Sequence, residues 1–208
     1  MKSLFRFAIY LVVAAWSSAA FCGSYEDFFA AVAHDDGNTV AGLLARGFDP
    51  NSPDEKGQRA LLITMRDGAP QVAAVLLADP QTRVDLPNPA GETALMLAAL
   101  KGRADWAQRL VEHGAAVNRD GWTPLHYAAC APAAAVAAML LDHGAHIDAL
   151  SPNRSTPLML AAMYGNEATV DLLLAHGADR HLRNEKGLDA ADFARQAGRE
   201  GLAARLAH

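Results

Sequence analysis

The strongest constraint on this chain is a phrase that returns about every thirty residues. Glu92-Thr-Ala-Leu-Met-Leu-Ala-Ala99 comes back as Trp122-Thr-Pro-Leu-His-Tyr-Ala-Ala129, and again as Ser155-Thr-Pro-Leu-Met-Leu-Ala-Ala162. A second phrase travels with it: Leu-Val-Glu-His-Gly-Ala115, Leu-Leu-Asp-His-Gly-Ala145 and Leu-Leu-Ala-His-Gly-Ala178. Self-similarity at a fixed period means that each stretch is one supersecondary unit, unable to bury its apolar face alone and obliged to stack on its neighbours. Such stacks present long surfaces, so binding rather than catalysis is the expectation before any single side chain is weighed.

Within a unit the residues specify their own conformations. Thr123-Pro124 and Thr156-Pro157 predict helix starts, because threonine suits the N-cap and proline the first helical position, where its missing N–H costs nothing. Leu125 and Leu158 then face the core, and Ala128-Ala129 and Ala161-Ala162 let neighbouring helices approach closely. Leu140-Leu141 and Leu173-Leu174 mark second helices, closed by Gly114, Gly144 and Gly177 in the left-handed conformation of a helix C-terminus.

These phrases resemble the ankyrin repeat, a hairpin followed by a "G-x-T-P-L-H-x-A-A" helix and a second helix ending in "L-L-x-x-G-A-D". Its Thr slot is filled at Arg59, Thr93, Thr123, Thr156 and Asp189, at spacings of 34, 30, 33 and 33. Leu43-Leu-Ala-Arg-Gly-Phe-Asp-Pro-Asn51 supplies one further second-helix phrase upstream. The resemblance implies an all-α ankyrin-repeat solenoid of helix-turn-helix units joined by β-hairpin loops. It covers residues 25–208 in about six units (25–53, 54–87, 88–119, 120–150, 151–183 and 184–208), read as a single domain. The end units are expected to act as caps with polar outer faces: Glu26, Asp27, His34, Asp35 and Asp36 at one end, and Arg195, Gln196, Arg199, Glu200 and Arg205 among Phe193, Leu202 and Leu206 at the other.

Departures from the pattern are informative. Arg59-Ala60 replaces Thr-Pro and Thr64-Met65 replaces Ala-Ala, which predicts looser packing there. Arg154 stands where a hairpin glycine is expected, so Asn153 is read as supplying the turn conformation. The short spacing of 30 comes from a loss of three residues around Arg119-Asp120, which predicts a stunted loop and a step in the surface beside Trp122.

The first residues stand outside the repeats. Lys2 and Arg6 precede an apolar run from Phe7 to Trp16 and then Ser17-Ser-Ala-Ala20, the pattern of a secretory signal peptide over residues 1–20, with cleavage after Ala20. The run is short for a membrane span, which needs roughly 20 residues; an uncleaved anchor is the alternative. The mature chain is expected to be periplasmic or secreted, with no membrane attachment, and to be a monomer. With 51% apolar residues the chain can build a continuous core, and its net charge of −5, which becomes −7 without Lys2 and Arg6, argues against nucleic acid as partner. Its two cysteines, Cys22 and Cys130, lie too far apart along the stack to pair and are read as free.

Chemistry-bearing constellations are sparse. His113, His143 and His176 share one repeat position beside the C-terminal glycine, where imidazole complements a helix end; one layer apart, they cannot share an ion. His126 and Cys130 stand four apart on a helix, as a Cys–His catalytic pair would, but His126 occupies the repeat's own structural slot. No serine elbow or phosphate-cradling glycine loop occurs, so no catalytic residue, cofactor or metal is expected. Trp106 is read as a core residue of a second helix.

The resemblance implies that a protein partner is held by the hairpin tips and the concave face of the first helices. Carried onto this sequence, those positions make Trp122, Leu100, Met163 and Tyr164 a partly apolar patch, with Glu92, Lys101 and Arg66 orienting the partner. Tryptophan and tyrosine are the side chains that most often dominate interface energies. The expected function is a non-catalytic protein-protein interaction module in the periplasm. The alternatives are an accessory or stabiliser of another envelope enzyme, and a secreted factor acting on host proteins.

Overall fold

Thr93, Thr123 and Thr156 open their helices as their sequence positions predict. Each hydroxyl accepts from the backbone N–H three residues on, at 3.4, 3.4 and 3.3 Å, and the side chain of that third residue turns back to the threonine N–H. Asp189 does the same work in the last unit, accepting from Asp192 N–H at 3.0 Å. Two of the four orphan donors of each helix are satisfied in this way, so short helices hold without long hydrogen-bond ladders.

The computed structural model describes residues 23–208. Its helices are α1 (23–33), α2 (Gly37–Ala45), α3 (Ala60–Asp67), α4 (Pro70–Ala78), α5 (Ala94–Leu100), α6 (Ala104–Glu112), α7 (Pro124–Ala129), α8 (Ala135–Asp142), α9 (Pro157–Tyr164), α10 (Glu167–Ala175), α11 (Ala190–Gln196) and α12 (Glu200–Leu206). The chain forms two compact units that divide between Thr82 and Arg83. In the first, α4 packs on α2 and α3. In the second, α5, α7, α9 and α11 stand side by side in that order, while α6 and α8 pack together in the other layer. Leu95, Leu125 and Leu158 are fully buried, as are the paired alanines Ala98-Ala99, Ala128-Ala129 and Ala161-Ala162, whose small side chains permit the close spacing. The fold class is an all-α solenoid.

The loops are simpler than the hairpins expected from the sequence. Among the described residues the β pairing is an isolated bridge between Pro53 and Arg59. Each full-length loop closes instead with a backbone bond from Asp54 to Gln58 (2.6 Å), Asn88 to Glu92 (2.9 Å), Ser151 to Ser155 (3.0 Å) or Asn184 to Leu188 (3.0 Å), around a tighter one donated by Gly57, Gly91, Arg154 or Gly187. Side chains also tie successive repeats. The Asp85 carboxylate accepts from Ala116 N–H at 3.0 Å, Asn118 bridges Gly144 carbonyl and His146 N–H at 2.8 Å each, and Asp148 accepts from Asp179 N–H at 3.1 Å.

Three local expectations are corrected. Arg154, not Asn153, takes the left-handed turn conformation, with φ +62°; the loop closure at Ser151 fixes the glycine position, and the side chain there must accept it. Arg59 gives α3 no side-chain cap bond, while Ala60, Leu61, Leu62, Thr64 and Met65 are all buried. Arg199 and Arg205 turn back onto the preceding repeat rather than outward. The Arg199 guanidinium reaches the carbonyls of Ala161, Ala162 and Gly165 at 2.9–3.1 Å, and that of Arg205 meets Glu167 and Asp171. Trp106 is only half-buried, and the Arg109 guanidinium rather than a core side chain stacks over its ring at 4.3 Å.

Residues 1–20 and Cys22, which carry the export reading, lie outside the described residues. Among the described residues no helix is long and apolar enough to cross a membrane.

Candidate protein-binding site

The first helices of the second unit carry two kinds of position on their loop-facing side. One is the residue just before the Thr slot; the other is the residue four after it, which is buried at Leu97 and Leu160 and half-buried at Tyr127. In successive repeats these are Glu92 and Leu97, Trp122 and Tyr127, and Ser155 and Leu160. The Trp122 ring meets the His126 ring edge-on, with centroids 5.3 Å apart, and remains 39% exposed. Tyr127 donates its hydroxyl to the Glu92 carboxylate at 3.3 Å, and the same carboxylate accepts from the Asn88 amide at 2.8 Å. Burial and the nearby carboxylate push the Tyr127 phenol up to about 12, so its proton stays in place to make that bond.

Between these elements lies a cleft of about 250 Å³. Leu100, Trp122 and Tyr164 form its exposed walls; Tyr127, Leu160, His126 and Cys130 form its floor. Its surface is almost wholly carbon. Apart from the weakly polar Cys130 thiol, the floor has little to offer a polar ligand: His126 is fully buried, with Nδ1 accepting from Thr123 N–H at 3.1 Å and Nε2–H donating to the Ser155 carbonyl at 3.0 Å. A carbonyl oxygen only accepts, so the proton sits on Nε2 and the ring is neutral. Burial holds its pKa below the usual value, against the opposing pull of the Ser155 and Ala149 carbonyls.

Cys130 is half-buried and free. Burial pushes its thiol up to about 11, and both His126 nitrogens are engaged elsewhere. The pair expected of a thiol nucleophile, an activating base within reach of the sulfur, is not assembled. Three other histidines behave as helix-end groups. The Nδ1 atoms of His113, His143 and His176 donate to the carbonyls of Arg109, Met139 and Leu172 at 2.7, 2.8 and 2.8 Å. Among the described residues no three His, Cys, Asp or Glu side chains gather as a metal-ligand set.

Of the residues singled out in the sequence, Leu100, Trp122 and Tyr164 come together at the cleft. Lys101 follows Leu100 as the exposed C-cap of α5. Met163 is partly covered and does not line the cleft, while Glu92 is committed to Asn88 and Tyr127. Arg66 belongs to the first unit, where it forms a two-pronged pair with Asp67 (2.8 Å for each bond) beside a depression lined by Phe29, Asp35 and Asp54. Sequence reasoning missed Tyr127 and Leu160 as floor residues. Their signal was the fourth position after the Thr slot, which is core-facing in the pattern but opens to the surface where the loop above it is short.

Comparison with known proteins places this architecture. The model for ankyrin repeats (3 copies) matches residues 28–119 and 78–151, and the single ankyrin-repeat model matches residues 153–185. The chain belongs to the ankyrin-repeat family, and its repeats make it a protein-protein interaction module. It is 42% identical over 108 residues to neurogenic locus notch homolog protein 1 of Xenopus tropicalis, covering 50% of this chain and 4% of that one. It is 37% identical over 144 residues to the neurogenic locus Notch protein of Drosophila melanogaster, covering 67% of this chain and 5% of that one. The chain thus spans only a small part of these relatives' length. Among solved structures it resembles a chain from the complex described as Bd0816 predatory endopeptidase from Bdellovibrio bacteriovorus with immunity protein Bd3460. The TM-score is 0.75 at 29% identity, over 87% of this chain and 96% of that one.

Proposed function

We propose that this chain is an exported, non-catalytic binding protein of the bacterial periplasm, acting as a monomer that grips one protein partner. The observation that carries the reading is convergence: among the described residues, three of the four exposed large apolar side chains, Leu100, Trp122 and Tyr164, line one cleft. An apolar patch gathered on a rigid scaffold marks an interaction site, and preformed geometry lowers the entropic cost of binding. Export is supported by the charged, apolar and small-residue order of residues 1–20, and a bacterial source by the Bdellovibrio structural neighbour.

A second reading, an accessory that controls an envelope enzyme, is favoured by a specific observation. The structural neighbour comes from a complex of an endopeptidase with an immunity protein. On this reading the partner is a peptidase, held in check by the bound repeats.

Cross-linking the protein in an envelope extract, with mass spectrometry of what is captured, tests both. The expected result is one partner captured by the wild type and lost by a folded Trp122→Ala/Tyr164→Ala variant. Capture by both forms removes the cleft from the interface. Capture of no envelope protein overturns the periplasmic reading.

A further inference from the structure

Five positions separate Asn118 from Thr123, where eight separate Asp85 from Thr93 and Asp148 from Thr156. The missing residues are those that close a full loop. In the neighbouring repeats Asn88 and Ser151 donate their N–H to the carbonyls of Glu92 and Ser155, and their side chains accept the N–H of those same residues at 2.9 and 3.0 Å. The loop from Asn118 to Trp122 has no residue at that place. Ser155 is 1% exposed under its closed loop; Trp122, at the matching position, is 39% exposed.

The uncovered cleft is selective in three ways. Its volume of about 250 Å³ suits one bulky side chain rather than a helix face. The Tyr127 hydroxyl is bound to Glu92 and the His126 ring to Thr123 and Ser155, leaving only the weakly polar Cys130 thiol, so an apolar occupant is favoured in the buried part. Its edge carries a charge. Among the lining residues and their immediate chain neighbours, the charged group is Lys101, exposed beside Leu100, and no carboxylate pairs with it among the described residues. On the short loop the Arg119 guanidinium is engaged by the Gly91 carbonyl at 2.9 Å, and the Glu92 carboxylate is already committed.

We propose that the cleft seats a single aromatic side chain projected from a loop of the partner, with a carboxylate beside it that meets Lys101. This rests on the protein-binding reading and names the chemistry of the partner's anchor. The aromatic ring would supply the apolar contact against Trp122 and Tyr164; the carboxylate would select among partners by charge.

Nα-acetyl-tryptophan carries both groups, and its amide lacks the charge. Titration of each into the protein at pH 7, followed by NMR at the Trp122 indole N–H and the Leu100 methyls, reads the site without any partner. The expected result is saturable binding at the cleft, tighter for the acid by about two- to fivefold, the size of an exposed ion pair. Lys101→Ala removes that difference, and Trp122→Ala removes binding of both. Leu100→Ser, at the opposite wall, weakens both and serves if Trp122→Ala fails to fold. Equal binding of acid and amide, shifts outside the cleft, or no binding overturns the proposal. Partner capture by the wild type alongside any of those results leaves the protein-binding reading standing; probe selectivity without capture overturns that reading and keeps the cleft.

Discussion

The Nε2–H of His126 donates to the carbonyl oxygen of Ser155 across 3.0 Å, tying one repeat to the next through a fully buried ring. The bond fixes the tautomer, and the tautomer lets Nδ1 accept from Thr123, so one side chain both caps its own helix and links two repeats.

That arrangement predicts how stability depends on acidity. The folded pKa of His126 lies below the ordinary value. Above about pH 6.5 the ring is neutral in both states, and its contribution is complete. As pH falls through that value the unfolded ring takes a proton that the folded ring resists. Stability therefore declines, at most by about 1.4 kcal/mol per pH unit, until the folded pKa is reached. Urea midpoints of wild type and His126→Leu at pH 7.5 and 5.5 check this. The variant starts lower by about 2 kcal/mol, the order expected for leaving buried partners unsatisfied, and the gap narrows at the acid pH. A gap that stays constant or widens contradicts the assignment.

Two backbone positions predict opposite signs. A Cβ at Gly165 would press into the Ala129 carbonyl oxygen and lie 2.9 Å from the Ala161 Cα, both unyielding backbone. Gly165→Ala should destabilise by about 3 kcal/mol. Arg154 holds φ +62° with its side chain exposed, so Arg154→Gly should stabilise by about 0.5–1 kcal/mol, strain relief outweighing the added freedom of the unfolded chain. Chemical denaturation of both variants beside the wild type decides each sign.

The Cys130 thiol, pushed up to about 11 from a reference of 9.0, should hold roughly a hundredfold less thiolate at pH 7 than a free cysteine. Iodoacetamide should modify it correspondingly slowly, with the rate still climbing at pH 10. Fast labelling at neutral pH would show an activating group that the surroundings of Cys130 do not supply.

The helix starts and stops were legible because each depends on local chemistry: Thr123 and Thr156 cap, Pro124 and Pro157 start, Gly114 and Gly144 stop. The cleft was legible only in part. Leu100, Trp122 and Tyr164 stand at surface slots and announce themselves as exposed apolar residues. Tyr127 occupies a slot that is normally covered, and only the length of the loop above it decides whether it is seen. The ties made by Arg199 to Ala161, Ala162 and Gly165 were hidden for a related reason. A long charged side chain reads as solvent-facing from sequence, whereas three carbonyls at a neighbouring helix end can draw it inward. Arg154 misled because its conformation is imposed by loop closure at Ser151, a bond spanning several residues rather than a preference of its own.

Asn118 still bridges Gly144 and His146 although the loop it begins has lost its tip. The fastening between layers thus resides in the first residue of the loop, and the outline presented to other molecules resides in those that follow. Trimming or lengthening that tip can reshape what is gripped without loosening the stack, so a lineage of such proteins can change its target by small insertions and deletions while inheriting an unaltered frame.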